Sequence, residues 1–200
     1  MILGVIPARL NSTRFPSKVI FPLKGKPIIE HVYEKALQSN LLNKVIVAVD
    51  SEETKNVINC QNIIMTSDKH QSGTDRVAEV ANNFNCDIVV NIQGDEPGID
   101  PLLIDKLIQL FEDPDVEMAS IASTDLKEDD LNNDNVVKVN LDKENNAISF
   151  IRNNLNPEST YYRHIGIYAY RKNTLNLFTS LTQSDLSLIH ISEPTRQLCI

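Results

Sequence analysis

Between Met1 and Asp113 the apolar positions switch repeatedly between short continuous runs and helical spacing. ILGVI (residues 2–6) predicts a short buried strand, and PIIEHVYEKALQ, from Pro27, predicts a helix with proline in its first turn. KVIVAVD reads as a strand ending on Asp50. SEETKNVIN reads as a helix capped by Ser51, with Glu53 and Thr54 in the first turn. NIIMT predicts another strand and GTDRVAEVANNF another amphipathic helix. DIVVNI is a strand stopped by QGDEPG, and PLLIDKLIQLFED is a helix opened by Pro101. This alternation of strand and helix predicts an α/β fold, a mostly parallel sheet covered by helices on both faces.

After EMASIAST the pattern changes. LKEDDLNNDN is a polar, acid-rich connection, and VVKVNLD and AISFIR, separated by KENN, predict a hairpin with asparagine in its turn. YRHIGIYAYR predicts one more strand and KNTLNLFTSL a final helix. No repeat or low-complexity stretch interrupts the chain. This second half reads as a small α+β lobe added to the first sheet, within one domain spanning residues 1–185.

Composition adds little to that picture but narrows the class. A chain of 200 residues with 42% hydrophobic and 23% charged content fits one soluble domain with a real core. Its longest apolar runs are about five residues, against roughly 20 needed to span a bilayer, so no membrane partner is expected. The strand-like start lacks a basic n-region and a small-residue cleavage site, so the reading expects no signal peptide. Cys60, Cys86 and Cys199 lack metal-site spacing and fit reduced, mostly buried thiols, as expected of a cytoplasmic protein.

Charge is more informative in its distribution than in its sum. The net charge of −8 argues against nucleic-acid binding. Yet the first acid is Glu30, and Arg9, Arg14, Lys18, Lys24 and Lys26 give residues 1–29 a charge of +5. A cationic patch in an otherwise anionic chain suits a small anionic ligand better than a long polyanion.

Three segments fall at strand carboxyl ends, where open α/β sheets bind ligands. PARLNSTRFPSK follows the first strand; Arg9, Arg14 and Lys18 could hold a triphosphate, with hydroxyl donors from Ser12 and Thr13. It lacks the Walker spacing, which argues against P-loop chemistry, and a solvated basic turn is the competing reading. NIQGDEPG places Asp95 after a buried strand, with Gly94 permitting close approach of backbone and ligand and Pro97 ending the strand. A carboxylate beside a phosphate site suits Mg²⁺, which takes one or two carboxylates plus phosphate oxygens. Gln93 suits a ribose or a base, although Asp95 and Glu96 could simply cap the next helix. SDKHQSGTDR opens a helix at Ser72, Gly73 and Thr74 with N–H groups available to a ligand; His70 is a candidate base-reading donor, and Arg76 faces either site or solvent.

In this order and register, PARxxSTRxPxK, HQSGTDR and NIQGDEP resemble the CMP-KDO synthetases, the 3-deoxy-manno-octulosonate cytidylyltransferases of lipopolysaccharide assembly. NVVKVNLD, ISFIRNNLNP and YRHIGIYAYR extend the resemblance to about residue 185. It implies a Rossmann-like nucleotidyltransferase sheet and transfer of CMP from CTP to an eight-carbon acid sugar. Carried over, Arg9, Arg14 and Lys18 hold the CTP phosphates, and Ser12, Ser72, Gly73, Arg76 and Gln93 bind the nucleotide. Asp95 ligates Mg²⁺, while Arg152, His164 and Tyr168 lie on the sugar side, where the sugar carboxylate calls for cationic donors. Ser17 departs from the glycine usual before this lysine, which matters only if the position needs positive φ. A homodimer is implied for the full-length family member.

The ending departs from the family. Its acidic helix and its GVDTPEDL-type segment, with a second Mg²⁺ ligand, are not found; the chain ends in LSLIHISEPTRQLCI. Leu186–Arg196 resembles a translated sequencing adapter, so residues 186–200 are expected to be a non-native tail on a truncated reading frame. Two alternatives stay open: another acid-sugar cytidylyltransferase of sialic-acid type and, because of the truncation, a catalytically weak nucleotide-binding fragment.

Overall fold

The computed structural model describes residues 1–9, 17–70, 72–181 and 197–199. The first half runs β1 (Ile2–Ala8), β2 (Pro22–Leu23), β3 (Lys26–Pro27), α1 (Ile28–Ala36), β4 (Lys44–Val49) and α2 (Glu52–Val57). It continues with β5 (Ile63–Met65), α3 (Gly73–Asn82), β6 (Ile88–Asn91) and α4 (Pro101–Gln109). The second half holds β7 (Met118–Ser123), α5 (Glu128–Leu131), β8 (Lys138–Leu141), β9 (Ala147–Ile151), β10 (Tyr161–Arg171), α6 (Lys172–Ser180) and β11 (Gln197–Cys199). Each strand and helix expected from the pattern up to Asp113 is present; β1 runs two residues further than read, and the others are shortened by a residue or a few at the ends. No helix among the described residues is long and apolar enough to cross a membrane.

The apolar run at the start becomes the centre of the sheet because both of its faces are covered. Leu3 and Val5 point into one cluster with Val77 and Val80 of α3. Ile6 and Ala8 point into the opposite cluster with Ile29 and Val32 of α1 and Ile104 and Leu107 of α4. Fully burying each large aliphatic side chain contributes roughly 1.5–3 kcal/mol.

The described residues form one nine-stranded sheet in the order β11-β7-β10-β6-β1-β4-β5, with β8 on β10 and β9 on β8. β1 pairs in parallel with β4 on one side and β6 on the other, and β5 extends β4 in the same direction. The chain therefore changes its direction of travel across the sheet at β1. That opens a crevice at the carboxyl ends of β1 and β6.

The second half is added to the first sheet, as the pattern suggested, and β10 makes the join. β10 runs antiparallel to both β6 and β7, and its first residues, Tyr161–Arg163, carry β8. The expected added lobe is thus continuous with the main sheet through β10. The hairpin between β8 and β9 forms as read: Asn145 sits at φ 63°, and the Asp142 carboxylate accepts the N–H groups of Glu144 and Asn146 at 2.8 Å. β11 pairs in parallel with β7, so part of the segment expected to be a foreign tail adds to the sheet.

Candidate active site

The two loops that leave β1 and β6 meet at the crevice. Lys18 Nζ donates to Asp95 Oδ2 at 2.8 Å across 77 positions of sequence, with both side chains half-exposed. Lys18 opens a single 3-10 turn, and Ser17 before it sits at φ 59°, ψ 21°. This is the left-handed region that favours glycine, so Ser17 occupies a position with the backbone requirement the sequence left open. Gly94 is required for a different reason. A Cβ there would come within 2.9 Å of the Pro7 carbonyl oxygen, so glycine lets β6's exit loop lie against the end of β1. The close approach is backbone on backbone.

Two cavities open on this crevice. The smaller, about 160 Å³, is lined by Arg9, Lys18, Gly73, Gln93 and Asp95 among others. The larger, about 710 Å³, is also lined by Gln93 and Asp95, and it reaches Arg152, Arg163, His164 and Tyr168. The cationic loop and the second-half strands therefore face one continuous site, joined at Gln93 and Asp95.

The larger cavity is built by β10 and the β8–β9 region. Arg152 donates to the Asp134 carbonyl at 2.8 Å, which anchors its guanidinium beside the cavity. Its backbone is held as well: Lys138, fully buried, donates to the carbonyls of Asn133 at 3.0 Å and Arg152 at 2.6 Å. Burial lowers the Lys138 ammonium from its ordinary range. His164 is packed edge-on to Phe150, with ring centroids 4.9 Å apart, and tilted against Tyr168 at 5.4 Å. Burial, and secondarily Arg152, pushes the imidazole down to about 4, so it is uncharged at neutral pH. That corrects the expectation of a cationic His164. Among the described residues, the cations lining this cavity are Arg152 and Arg163.

Three residues of the HQSGTDR segment serve the fold. Ser72 Oγ accepts the Asp75 N–H at 3.1 Å, and Asp75 accepts the Ser72 N–H at 3.0 Å, a reciprocal cap on α3. The Ser72 hydroxyl and N–H are therefore engaged within the helix cap, whereas Gly73 does line the smaller cavity. Arg76 faces neither site nor solvent: it is 1% exposed, 3.2 Å from the Asp50 carboxylate and hydrogen-bonded to Thr66 Oγ1. It ties α3 to the ends of β4 and β5. The His70 ring is held by the Glu79 carboxylate, not turned to a base. Ser12, Thr13 and Arg14 lie outside the described residues.

Sequence reasoning missed Arg163, Lys138 and Ser120. Arg163 lines the larger cavity with Nη1 3.6 Å from Asp130 Oδ2, a loose pair that leaves it half-exposed. Strand alternation sends neighbours to opposite faces, so nothing in the pattern grouped Arg163 with His164. Lys138 in VVKVNLD carried a detectable signal, since a lysine inside an apolar strand must find acceptors when buried.

Comparison with known proteins agrees with this geometry. A family model described as cytidylyltransferase matches residues 3–198. A 3-deoxy-manno-octulosonate cytidylyltransferase of Geobacter metallireducens is 38% identical, over 98% of this chain and 85% of its own length. One from Thermodesulfovibrio yellowstonii is 40% identical, over 97% and 84%. The solved structure of a CMP:2-keto-3-deoxy-manno-octonic acid synthetase complexed with CTP superposes with a TM-score of 0.87 at 32% identity, over all of this chain and 89% of that one. With a match that takes in both cavity walls and nearly the whole sequence, the chain belongs to the cytidylyltransferase family of nucleotidyltransferase enzymes.

Proposed function

We propose that the protein transfers CMP from CTP to the anomeric hydroxyl of 3-deoxy-D-manno-octulosonate, releasing pyrophosphate. One observation carries this reading. The cavity lined by Arg9 and Lys18 and the cavity lined by Arg152, Arg163, His164 and Tyr168 share Gln93 and Asp95, so a nucleotide phosphate and an acid sugar would meet there. The sugar oxygen attacks the α-phosphorus and forms a new P–O bond. The bond from that phosphorus to the bridging oxygen breaks, pyrophosphate leaves, and the hydroxyl proton passes to water.

Every reacting group in this step is surrounded by negative oxygens, so the side chains serve mainly to position and to offset charge. Lys18 and Arg9, which line the smaller cavity, would offset charge on the departing phosphates. Arg152 and Arg163 supply cations for the sugar carboxylate, with Arg152 steadied by Lys138 and the Asp134 carbonyl. The donor set fits Mg²⁺. Asp95 is one half-exposed carboxylate at the seam, engaged through Oδ2 by Lys18. No group of three or more His, Cys, Asp or Glu among the described residues could cage a metal alone. Such a site suits an ion that draws its remaining ligands from phosphate and water, and bound there Mg²⁺ would neutralise charge on the nucleotide.

The resemblance to the CMP-KDO synthetases also supports a cytoplasmic homodimer. The division of the site is tested by calorimetry on Arg152→Ala. It should weaken binding of the acid sugar and leave CTP affinity nearly unchanged. Equal loss of both ligands would sink the two-sided assignment.

A further inference from the structure

β10 does not run straight through the site. Its register against β7 shifts between Ile165 and Tyr168, which leaves two residues of β10 unpaired beside the larger cavity. Opposite this bulge lies Ser120 of β7, completely buried. Its hydroxyl is 2.9 Å from the Ile167 carbonyl, 3.5 Å from the Ile165 carbonyl and 2.8 Å from His164 Nε2.

A serine hydroxyl has one proton and can accept through its lone pairs. The Ile167 carbonyl is the closer of two acceptors that can only receive, so the proton goes there. Toward His164 the oxygen then accepts, and the ring must donate from Nε2. A neutral imidazole protonated at Nε2 carries its lone pair on Nδ1. Phe150 and Tyr168 hold the ring in place.

We infer that Ser120 is a positioning residue: it fixes His164 with the proton on Nε2 and so leaves Nδ1 as a hydrogen-bond acceptor for a hydroxyl of the acid sugar. This rests on the proposed substrate. It divides the cavity by chemistry. The carboxylate goes to Arg152 and Arg163, and a sugar hydroxyl goes to an acceptor that a carboxylate would not choose. The same hydroxyl ties the bulge that carries Gly166 and Ile167 past Gln93; a Cβ on Gly166 would lie 3.4 Å from Gln93 Cγ.

The test is nitrogen NMR of the 200-residue chain labelled with [¹⁵N]histidine, with His164→Asn to assign the signal and 3-deoxy-manno-octulosonate binding measured by calorimetry. At neutral pH the wild-type His164 should show a protonated Nε2 and an unprotonated Nδ1. Ser120→Ala should mix the two tautomers and weaken acid-sugar binding about tenfold, while CTP affinity changes less than about twofold. Ser120→Thr, which keeps the hydroxyl, should restore both. A proton on Nδ1 in the wild type overturns the inference, as does a Ser120→Ala protein with one fixed tautomer and full sugar affinity. A wild type with the expected tautomer that binds a different acid sugar instead counts against the proposed substrate, not against the hold of Ser120 on the ring.

Discussion

Acidification should weaken this protein through a single buried ring. His164 has an ordinary pKa of 6.5 in the unfolded chain and about 4 in the fold, where burial and then Arg152 disfavour its charged form. Because the folded value is the lower one, His164 costs nothing above the unfolded pKa, where both states are neutral. As the pH falls below it, the unfolded chain takes up a proton that the fold refuses, and stability drops until the folded pKa is passed. At roughly 1.4 kcal/mol per unit, the loss is about 2 kcal/mol between pH ~7.5 and ~5, and about 3 kcal/mol below both values. Urea unfolding at several pH values measures it by linear extrapolation. The Asp105 and Glu79 carboxyls are held below their ordinary range in the fold and lose stability only at lower pH. A His164→Asn protein cancels such contributions. It should be less stable at neutral pH because it loses packing against Phe150 and Tyr168, but its stability should fall less steeply on acidification. Identical pH slopes for the two proteins would refute the argument.

Two further outcomes follow from the phosphate loop. Lys18→Ala should cost no more than about 1 kcal/mol of stability, because its pair with Asp95 is half-exposed, yet it should lower turnover about 10²-fold; unchanged turnover would remove Lys18 from the chemistry. Ser17→Gly relieves a left-handed φ of 59° and should raise stability by up to about 1 kcal/mol, whereas Ser17→Val should lower it by about as much or more, both read as shifts in thermal midpoint. A less stable glycine variant would contradict the backbone assignment.

The elements were legible because their signals are local. Pro27 and Pro101 open helices, Ser51 caps α2 through its side chain, and asparagine turns the β8–β9 hairpin. The candidate site was legible where a residue's type and its place at a strand end suffice, as for Lys18, Gln93 and Asp95; Arg152 came only with the family resemblance. What stayed hidden depends on partners distant in sequence. Arg76 and Asp50 meet only when α3 packs on β4, which turns an apparent ligand-binding arginine into an internal strut. From its place at a helix start Ser72 looks available to a nucleotide, but Asp75 one turn later takes up its hydroxyl in an S-x-x-D capping pattern. Ser120 sits in a plain apolar strand, and only the bulge of β10 gives its hydroxyl a task. That the second half adds to the first sheet was legible, but the place of β10 between β6 and β7 was not, because that pairing spans gaps that carry no periodicity.

The most direct test is identification of the product. The 200-residue chain is incubated with CTP, Mg²⁺ and either 3-deoxy-manno-octulosonate or N-acetylneuraminate, and the nucleotide sugar is identified by mass alongside pyrophosphate release. The account predicts a CMP conjugate of the eight-carbon acid sugar, none of the nine-carbon one, and no product when Mg²⁺ is chelated. Transfer to N-acetylneuraminate in preference, or bound CTP with no transfer to either sugar, would contradict it.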